Sequence, residues 1–167
     1  QEHSYMKKVK NSIQWVSPSN GEVFFDDLLP LLKSHTKESG TIFVGTDSFI
    51  TKDQCIFARA ICLHGGNSSH SGKYFFARTK EHLGPFKLLV TRMIAEVEKT
   101  VETALKISEQ CPGAQIEIHL DISSSPEKGA TGKYADMLKG YAKSSGFPYK
   151  VKPDSWASSS VADKHSK

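Results

Sequence analysis

The sequence predicts an α/β domain with a mixed sheet, in which three antiparallel strands are followed by the order α-β-α-β-α. Apolar runs separated by turn residues occupy the first part of the chain. After Gly84 the apolar residues recur every three or four positions, as on one face of a helix, and short strands and helices then alternate. Because parallel strands are joined by crossover helices, this order favours a mixed sheet with helices on its faces.

Length and composition favour one domain with an N-terminal helical arm. The chain has 167 residues, of which 38% are hydrophobic, and this is enough for one sizeable core. Residues 1–40 contain a turn-like segment at 19–21 and then an apolar cluster that Asp26 or Asp27 can cap as a helix. We expect this arm to pack on a main domain formed by residues 41–167.

Several classes of protein are disfavoured. No apolar run approaches the roughly 18 to 20 residues that a membrane span requires, and the first residues lack the apolar core of a signal peptide. We therefore expect a cytoplasmic protein with no membrane partner. The three cysteines lack C-x-x-C spacing, which predicts buried thiols rather than a disulfide framework or a zinc site. They are Cys55, Cys62 and Cys111.

The three antiparallel strands are expected at residues 41–47, 54–64 and 73–79. The second is apolar almost throughout, as expected of a strand covered on both faces. The long helix that follows has an apolar stripe formed by Val90, Ile94, Val97, Val101 and Leu105. The later elements are predicted as a strand over 115–121, a helix over 131–145, a strand over 149–152 and a final helix from about residue 158.

Two aspartates lie at predicted strand ends, where a metal site can form. Asp47 ends the first strand and Asp121 ends the fourth. Since these strands lie side by side in a sheet of this order, both carboxylates can reach one spot, and pairing two acids without a cation is costly. This favours Mg²⁺ or Mn²⁺, which prefer oxygen ligands, whereas the competing interpretation of Asp47 is a turn cap.

The long helix and the fourth strand add further candidates. Helical geometry does not choose between Glu96 and Glu98, which lie on opposite flanks of the apolar stripe. His119 shares a strand face with Asp121, so it either positions water or phosphate or is a hydrogen-bonded structural residue. His165 is expected to be exposed to solvent.

The distribution of charge allows a nucleic-acid surface. The formal net charge is +4, and residues 127–167 contain eight Lys against four acids, so that 8 − 4 accounts for all of it. The C-terminal quarter is therefore either a phosphate-facing surface or a solvated Lys-rich helix.

Three motifs resemble the YkuK family of ribonuclease H-like proteins. They are G-T-D-S at 45–48, H-L-D-I at 119–122 and K-P-D-S-W-A-S-S-S-V-A-D-K-H at 152–165. The resemblance extends from about Ile42 to the C-terminus and implies a ribonuclease H-like mixed sheet. Phe49 stands where the family commonly has Gln, a departure that concerns substrate contact rather than metal ligands.

The resemblance also implies a two-metal nuclease site that holds Mg²⁺ or Mn²⁺ and hydrolyses the phosphodiester bonds of RNA, DNA or a hybrid. By position, its four carboxylates are Asp47, Glu96, Asp121 and Asp163, with Asp154 as the competitor for the last place. The candidate substrate contacts are Ser48, His119, Lys133, Lys152 and Lys164.

Two other functions fit the same sequence. A non-catalytic nucleic-acid-binding module would keep the fold and the basic surface without turnover, and a junction resolvase or integrase-like enzyme would keep the fold and the metals. A small-molecule phosphotransferase is disfavoured because the chain lacks G-x-x-x-x-G-K-[S/T]. The sequence leaves open the oligomeric state and whether cleavage is internal or from an end.

Overall fold

A seven-stranded mixed sheet organises the computed structural model of the chain, which describes residues 13–123 and 134–167. The strands are β1 (Trp15–Ser17), β2 (Gly21–Val23), β3 (Thr41–Ile50), β4 (Gln54–His64), β5 (Tyr74–His82), β6 (Gln115–His119) and β7 (Tyr149–Lys150). Their order across the sheet is β2-β1-β5-β4-β3-β6-β7. The β3–β6 and β6–β7 pairs are parallel and the others antiparallel, which confirms the predicted fold class.

Helices cover both faces of this sheet. They are α1 (Phe25–Lys37), α2 (Leu89–Gln110), α3 (Ala135–Ser144) and α4 (Asp163–Ser166). A π-helical segment, Ala157–Ala162, runs directly into α4, and we call the two together the C-terminal helix. The first three helices pack on the main core on one face, and the C-terminal helix packs on a smaller core on the other.

β4 contributes to both cores, as its apolar sequence predicts. Ile61 and Leu63 belong to the main core, whereas Ala60 and Cys62 lie beneath the C-terminal helix. The small residues on this second face allow the helix to approach closely. A Cβ atom on Gly45 would lie 2.6 Å from the backbone nitrogen of Ser158. Glycine at this position therefore permits the C-terminal helix to rest on β3.

Several element boundaries differ from those predicted. Asp47 does not end its strand, because β3 continues pairing with β4 as far as Ile50. The parallel pairing with β6 stops earlier, at Gly45 opposite His119, so β6 ends before Asp121. β5 is longer than expected and β7 shorter. The predicted start of the helix at residue 131 lies outside the described residues.

The N-terminal segment adds strands that the sequence analysis missed. β1 and β2 form a hairpin, and β1 joins the edge of the sheet through Val16 opposite Phe76. Trp15 and Phe25 are buried in the main core, where Leu28 of α1 is also buried. The turn-like segment at 19–21 was the signal for this hairpin.

All three cysteines are buried and free, as predicted. Among the helices within residues 13–123 and 134–167, none combines the length and the apolar character needed to cross a bilayer.

Candidate functional site

β3 places polar side chains on both faces of the sheet, because successive residues of a strand point in opposite directions. Asp47 faces the C-terminal helix and is only 6% exposed, and its Oδ2 atom accepts a hydrogen bond from the Ser166 hydroxyl at 3.3 Å. Ser48 faces α2 instead, where its hydroxyl donates to Oε1 of Glu96 at 3.1 Å. The strand thus links a buried aspartate to the C-terminal helix and a glutamate to α2.

The register of β3 and β6 brings Asp121 beside Asp47. The last parallel pair is Gly45 and His119, and each aspartate follows its member of that pair by two residues. Nζ of Lys152 lies 3.0 Å from Oδ1 of Asp121. That oxygen is buried and makes no well-directed hydrogen bond. Asp121 therefore has a cation nearby but keeps unused capacity to accept a ligand.

Burial and two neighbouring acids shift the pKa of Asp47. Burial is the largest cause, followed by a hydrogen bond with Asp163 and the charges of Asp121 and Asp163, and together they raise the pKa of Asp47 to about 8. A hydrogen bond from the Ser48 backbone acts in the opposite direction. At neutral pH without a cation, the Asp47 carboxyl is therefore expected to hold a proton.

Glu96 belongs to the same cluster. Burial first, and then the charges of Asp47 and Asp121, raise the pKa of Glu96 well above its usual range. The Ser48 hydrogen bond and the charge of Arg92 oppose the shift. Protein atoms surround Glu96 closely, but part of the residue's surface remains accessible to solvent.

The structure distinguishes between the competing acids, which are Glu96 against Glu98 and Asp163 against Asp154. Glu96 acts on the cluster, whereas Glu98 is exposed and adds to the effect of burial in raising the pKa of Tyr141. Asp163 contributes to the raised pKa of Asp47, whereas Asp154 is exposed and is not among the main causes of that shift. The acids that converge are therefore Asp47, Glu96, Asp121 and Asp163.

Asp47 and Asp121 are the two acids of the cluster that could hold a hard divalent cation. Among residues 13–123 and 134–167, no three His, Cys, Asp or Glu side chains lie close enough to form a complete set of ligands. Mg²⁺ commonly takes only one or two carboxylates and completes its coordination with waters and phosphate oxygens. Two features favour a cation here: the buried Oδ1 of Asp121 makes no well-directed hydrogen bond beside the Lys152 ammonium, and, after burial, the charges of Asp121 and Asp163 raise the pKa of Asp47.

His119 has the contacts of a structural residue. Its side chain is 1% exposed, its Nε2 lies 2.9 Å from Oε1 of Glu117, and its Nδ1 accepts the Ala157 N–H at 3.1 Å. The ring also stacks on Phe43 with centroids 4.5 Å apart. Burial is the main cause that lowers the pKa of His119, against the opposing effect of Glu117. Contact with substrate would cost the ring one of these bonds, and the contacts are those of the hydrogen-bonded structural residue that the sequence analysis gave as the alternative role of His119.

The expectation that His165 is exposed is wrong. Its ring stacks on Phe76 with centroids 3.6 Å apart and planes 7° apart, and its Nε2 lies 3.0 Å from the Tyr74 hydroxyl. The next residue, Ser166, accepts a hydrogen bond from Arg78 at its backbone oxygen. These contacts fix the end of the chain to β5 and thereby place Asp163. No sequence signal indicated them, because a His two residues after an Asp has no preferred partner.

The other predicted substrate contacts are Ser48, Lys133, Lys152 and Lys164. Ser48 donates its hydroxyl hydrogen to Glu96, and Lys152 pairs with Asp121. Lys164 is exposed on α4. Lys133 lies outside the described residues.

Comparisons with known proteins agree with this architecture. The family model described as ribonuclease H-like matches residues 23–167. The chain is also similar to the uncharacterized protein YkuK of Bacillus subtilis (strain 168), with 27% identity over 178 residues, covering 94% of this chain and 99% of that protein. This similarity confirms the resemblance to the YkuK family. No solved structure gives a significant match. The fold, the shared motifs and the extent of the family match together place the chain in the ribonuclease H-like family.

Proposed function

We propose that the chain is a divalent-metal-dependent nuclease that hydrolyses phosphodiester bonds of RNA, DNA or a hybrid at the carboxylate cluster. The observation that carries the proposal is the buried Asp47, which lies beside Asp121 in the register of β3 and β6 and accepts a hydrogen bond from the C-terminal helix that carries Asp163. A fold rarely keeps several acids together without a function that needs their charge. Membership of the ribonuclease H-like family supports nucleic acid as the substrate class.

In this proposal Asp47 and Asp121 hold Mg²⁺ or Mn²⁺, flanked by Glu96 and Asp163. When bound, such ions activate a water molecule and stabilise charge on the leaving oxygen. The carboxylates act as ligands, so Asp47 must lose the proton that its pKa of about 8 lets it keep at neutral pH. A bound cation favours that loss, because it stabilises the ionised carboxylate.

The surrounding residues orient these acids. Ser48 fixes Glu96 by a hydrogen bond at 3.1 Å, and Ser166 fixes Asp47 at 3.3 Å. The Lys152 side chain is 45% exposed while it pairs with Asp121, so its ammonium group can turn toward a phosphate without crossing the core. Lys152 and the exposed Lys164 are thus proposed to contact the backbone of the substrate.

A non-catalytic nucleic-acid-binding module is the second candidate. The observation that favours it is the ion pair between Lys152 and Asp121, which supplies a cation to the cluster without any metal. The two candidates differ in turnover, because a binding module retains the fold and the basic residues but leaves phosphodiester bonds intact.

The test is cleavage of labelled single-stranded RNA, single-stranded DNA and an RNA–DNA hybrid in Mn²⁺, Mg²⁺ and EDTA. We expect the wild type to cleave at least one substrate only when a divalent ion is present. Asp47→Asn should lose cleavage, whereas the matched control Asp154→Asn should retain it, since Asp154 is exposed and outside the cluster. Cleavage by Asp47→Asn at the wild-type rate would contradict the mechanism, and binding without cleavage would favour the binding module.

A further inference from the structure

The sheet extends beyond the end of the C-terminal helix, and one row of its side chains lies next to the carboxylates. In the row that contains Asp47, its partner on β4 is Ala58, and the partner of Ala58 on β5 is Arg78. The next row on the same face, toward the β3–β4 turn, runs from Phe49 on β3 to Lys80 on β5. Paired residues of neighbouring strands point to the same face, so all of these side chains share the face of Asp47.

The basic residues of these rows are accessible. Arg78 and Lys80 are both exposed, and neither takes part in any ion pair within the described residues. The hydrogen bond from Arg78 to the Ser166 backbone, at 3.4 Å, leaves most of its guanidinium donors available. Neighbouring strands are about 4.8 Å apart, so Arg78 stands about 10 Å from Asp47 across the sheet.

An exposed aromatic ring completes the surface. Phe49 is 40% exposed and lies two residues beyond Asp47 on the same strand face. Exposed aromatic rings next to cationic groups suit single-stranded nucleic acid, because unpaired bases stack on the ring while the cations contact phosphates. A base-paired duplex keeps its bases stacked on each other and offers no base to such a ring.

We propose that one surface binds the single-stranded part of a nucleic acid next to the scissile phosphate. It consists of Phe49 on β3 and of Arg78 and Lys80 on β5, and we call it the β5 strip. Arg78 and Lys80 contact successive backbone phosphates and Phe49 stacks on a base. The inference rests on the proposed function and deepens it, because it specifies where the substrate lies on the protein and that this part of the substrate is single-stranded. It also adds backbone contacts on the sheet to those proposed for Lys152 and Lys164.

The test measures binding in EDTA by fluorescence anisotropy, so that cleavage does not interfere. The probes are a labelled single-stranded RNA and a blunt RNA duplex, each titrated at several salt concentrations. The variants are Arg78→Gln with Lys80→Gln, and separately Phe49→Ala. The matched control is Lys33→Gln with Lys37→Gln, which removes the same charge from exposed positions of α1. Melting temperatures of all variants establish that they are folded.

We expect the Arg78/Lys80 double variant to bind the single strand more weakly, with a dependence of log Kd on log salt that is shallower by about 1.4, or about 0.7 per lost phosphate contact. Phe49→Ala should weaken single-strand binding about fivefold or more, and leave duplex binding nearly unchanged. Equal effects of the double variant and its α1 control, or failure of the wild type to bind the single strand, would overturn the β5 strip. Single-strand binding through the strip without cleavage in Mn²⁺ would instead contradict only the proposed hydrolysis.

Discussion

Two opposing effects act on the ionisation of Asp47. Its burial and the neighbouring acids disfavour its charge, whereas binding a divalent cation requires that charge. In the unfolded chain its pKa returns to the usual value of 3.8. Below that value the residue is protonated in both states and its contribution to stability is fully present. As the pH rises toward about 8, the folded state must retain a proton that the unfolded state has released, and this contribution is lost.

This difference predicts a pH dependence that a single substitution isolates. In EDTA, the melting temperature of Asp47→Asn minus that of the wild type should increase between about pH 4 and pH 8 and then level off, because Asn cannot ionise. Thermal unfolding at a series of pH values measures the difference. A difference that stays constant with pH would mean that Asp47 titrates normally in the folded chain.

Lys152 should compete with metal for Asp121. Lys152→Gln removes the ammonium group 3.0 Å from Oδ1 of Asp121, and leaves that buried oxygen without its cation. We expect a lower melting temperature in EDTA and a larger rise on adding Mn²⁺ than in the wild type. Lys150→Gln, at the exposed last residue of β7 and two positions before Lys152, is the control and should respond to Mn²⁺ like the wild type. A smaller rise in Lys152→Gln than in this control would argue that Lys152 supports the metal instead.

At the scale of elements, the contact between β3 and the C-terminal helix decides whether Asp163 reaches Asp47. Gly45→Ala places a Cβ atom 2.6 Å from the Ser158 nitrogen, where the neighbour is backbone and cannot rotate away. We expect this variant to lose about 1 to 3 kcal/mol of unfolding free energy and to bind Mn²⁺ more weakly. Denaturant unfolding and a Mn²⁺ titration measure the two effects.

The control for that substitution lies in α3. A Cβ atom on Gly140 would meet nothing within 4 Å, and the residue is inside a helix. Gly140→Ala should therefore raise the unfolding free energy by about 0.5 to 1 kcal/mol. If Gly45→Ala were as well tolerated as Gly140→Ala, the close approach of helix and strand would not govern the site.

Element order and type were predictable from periodicity, but the details that build the site were not. The alternation of residues 115–121 identified β6, and the stripe of Val90 to Leu105 identified α2. The end of β3 was misplaced because the run after Asp47 has no local stop, and only pairing with β4 determines how far it continues. The stacking of His165 on Phe76 joins residues 89 positions apart (165 − 76), and such a contact leaves no local signal.

At the scale of the whole molecule, the N-terminal segment contributes to the same core as the later elements. Trp15 is 2% exposed and packs with its ring centroid 6.4 Å from that of Phe25. Trp15→Ala should cost about 3 to 5 kcal/mol while unfolding remains a single transition, whereas Phe24→Ala, at a position 48% exposed, should cost far less. Denaturant unfolding followed by fluorescence and by circular dichroism provides the comparison. Two separate transitions in the wild type would show that residues before 41 fold independently.

The convergence of four distant acids is a property of the whole fold. The sequence allowed Asp47 and Asp121 to be paired because adjacent strands can be inferred from element order. Helical geometry left Glu96 and Glu98 undecided, and the family resemblance chose between them. The packing of α2 on β3, through Ser48 and Glu96, then places Glu96 in the cluster. A single sequence cannot reveal the depth of burial that shifts the pKa of Asp47.

The most direct test of the central claim is anomalous diffraction from crystals soaked in Mn²⁺. The account predicts a manganese peak between the carboxylates of Asp47 and Asp121, at the roughly 2 Å separations that hard cations make with oxygen ligands. Lys152 should then be displaced from Oδ1 of Asp121, and Asp47→Asn crystals should lack the peak. An empty cluster in the wild type at saturating Mn²⁺, with the Lys152–Asp121 pair intact, would contradict a metal-dependent nuclease at this site.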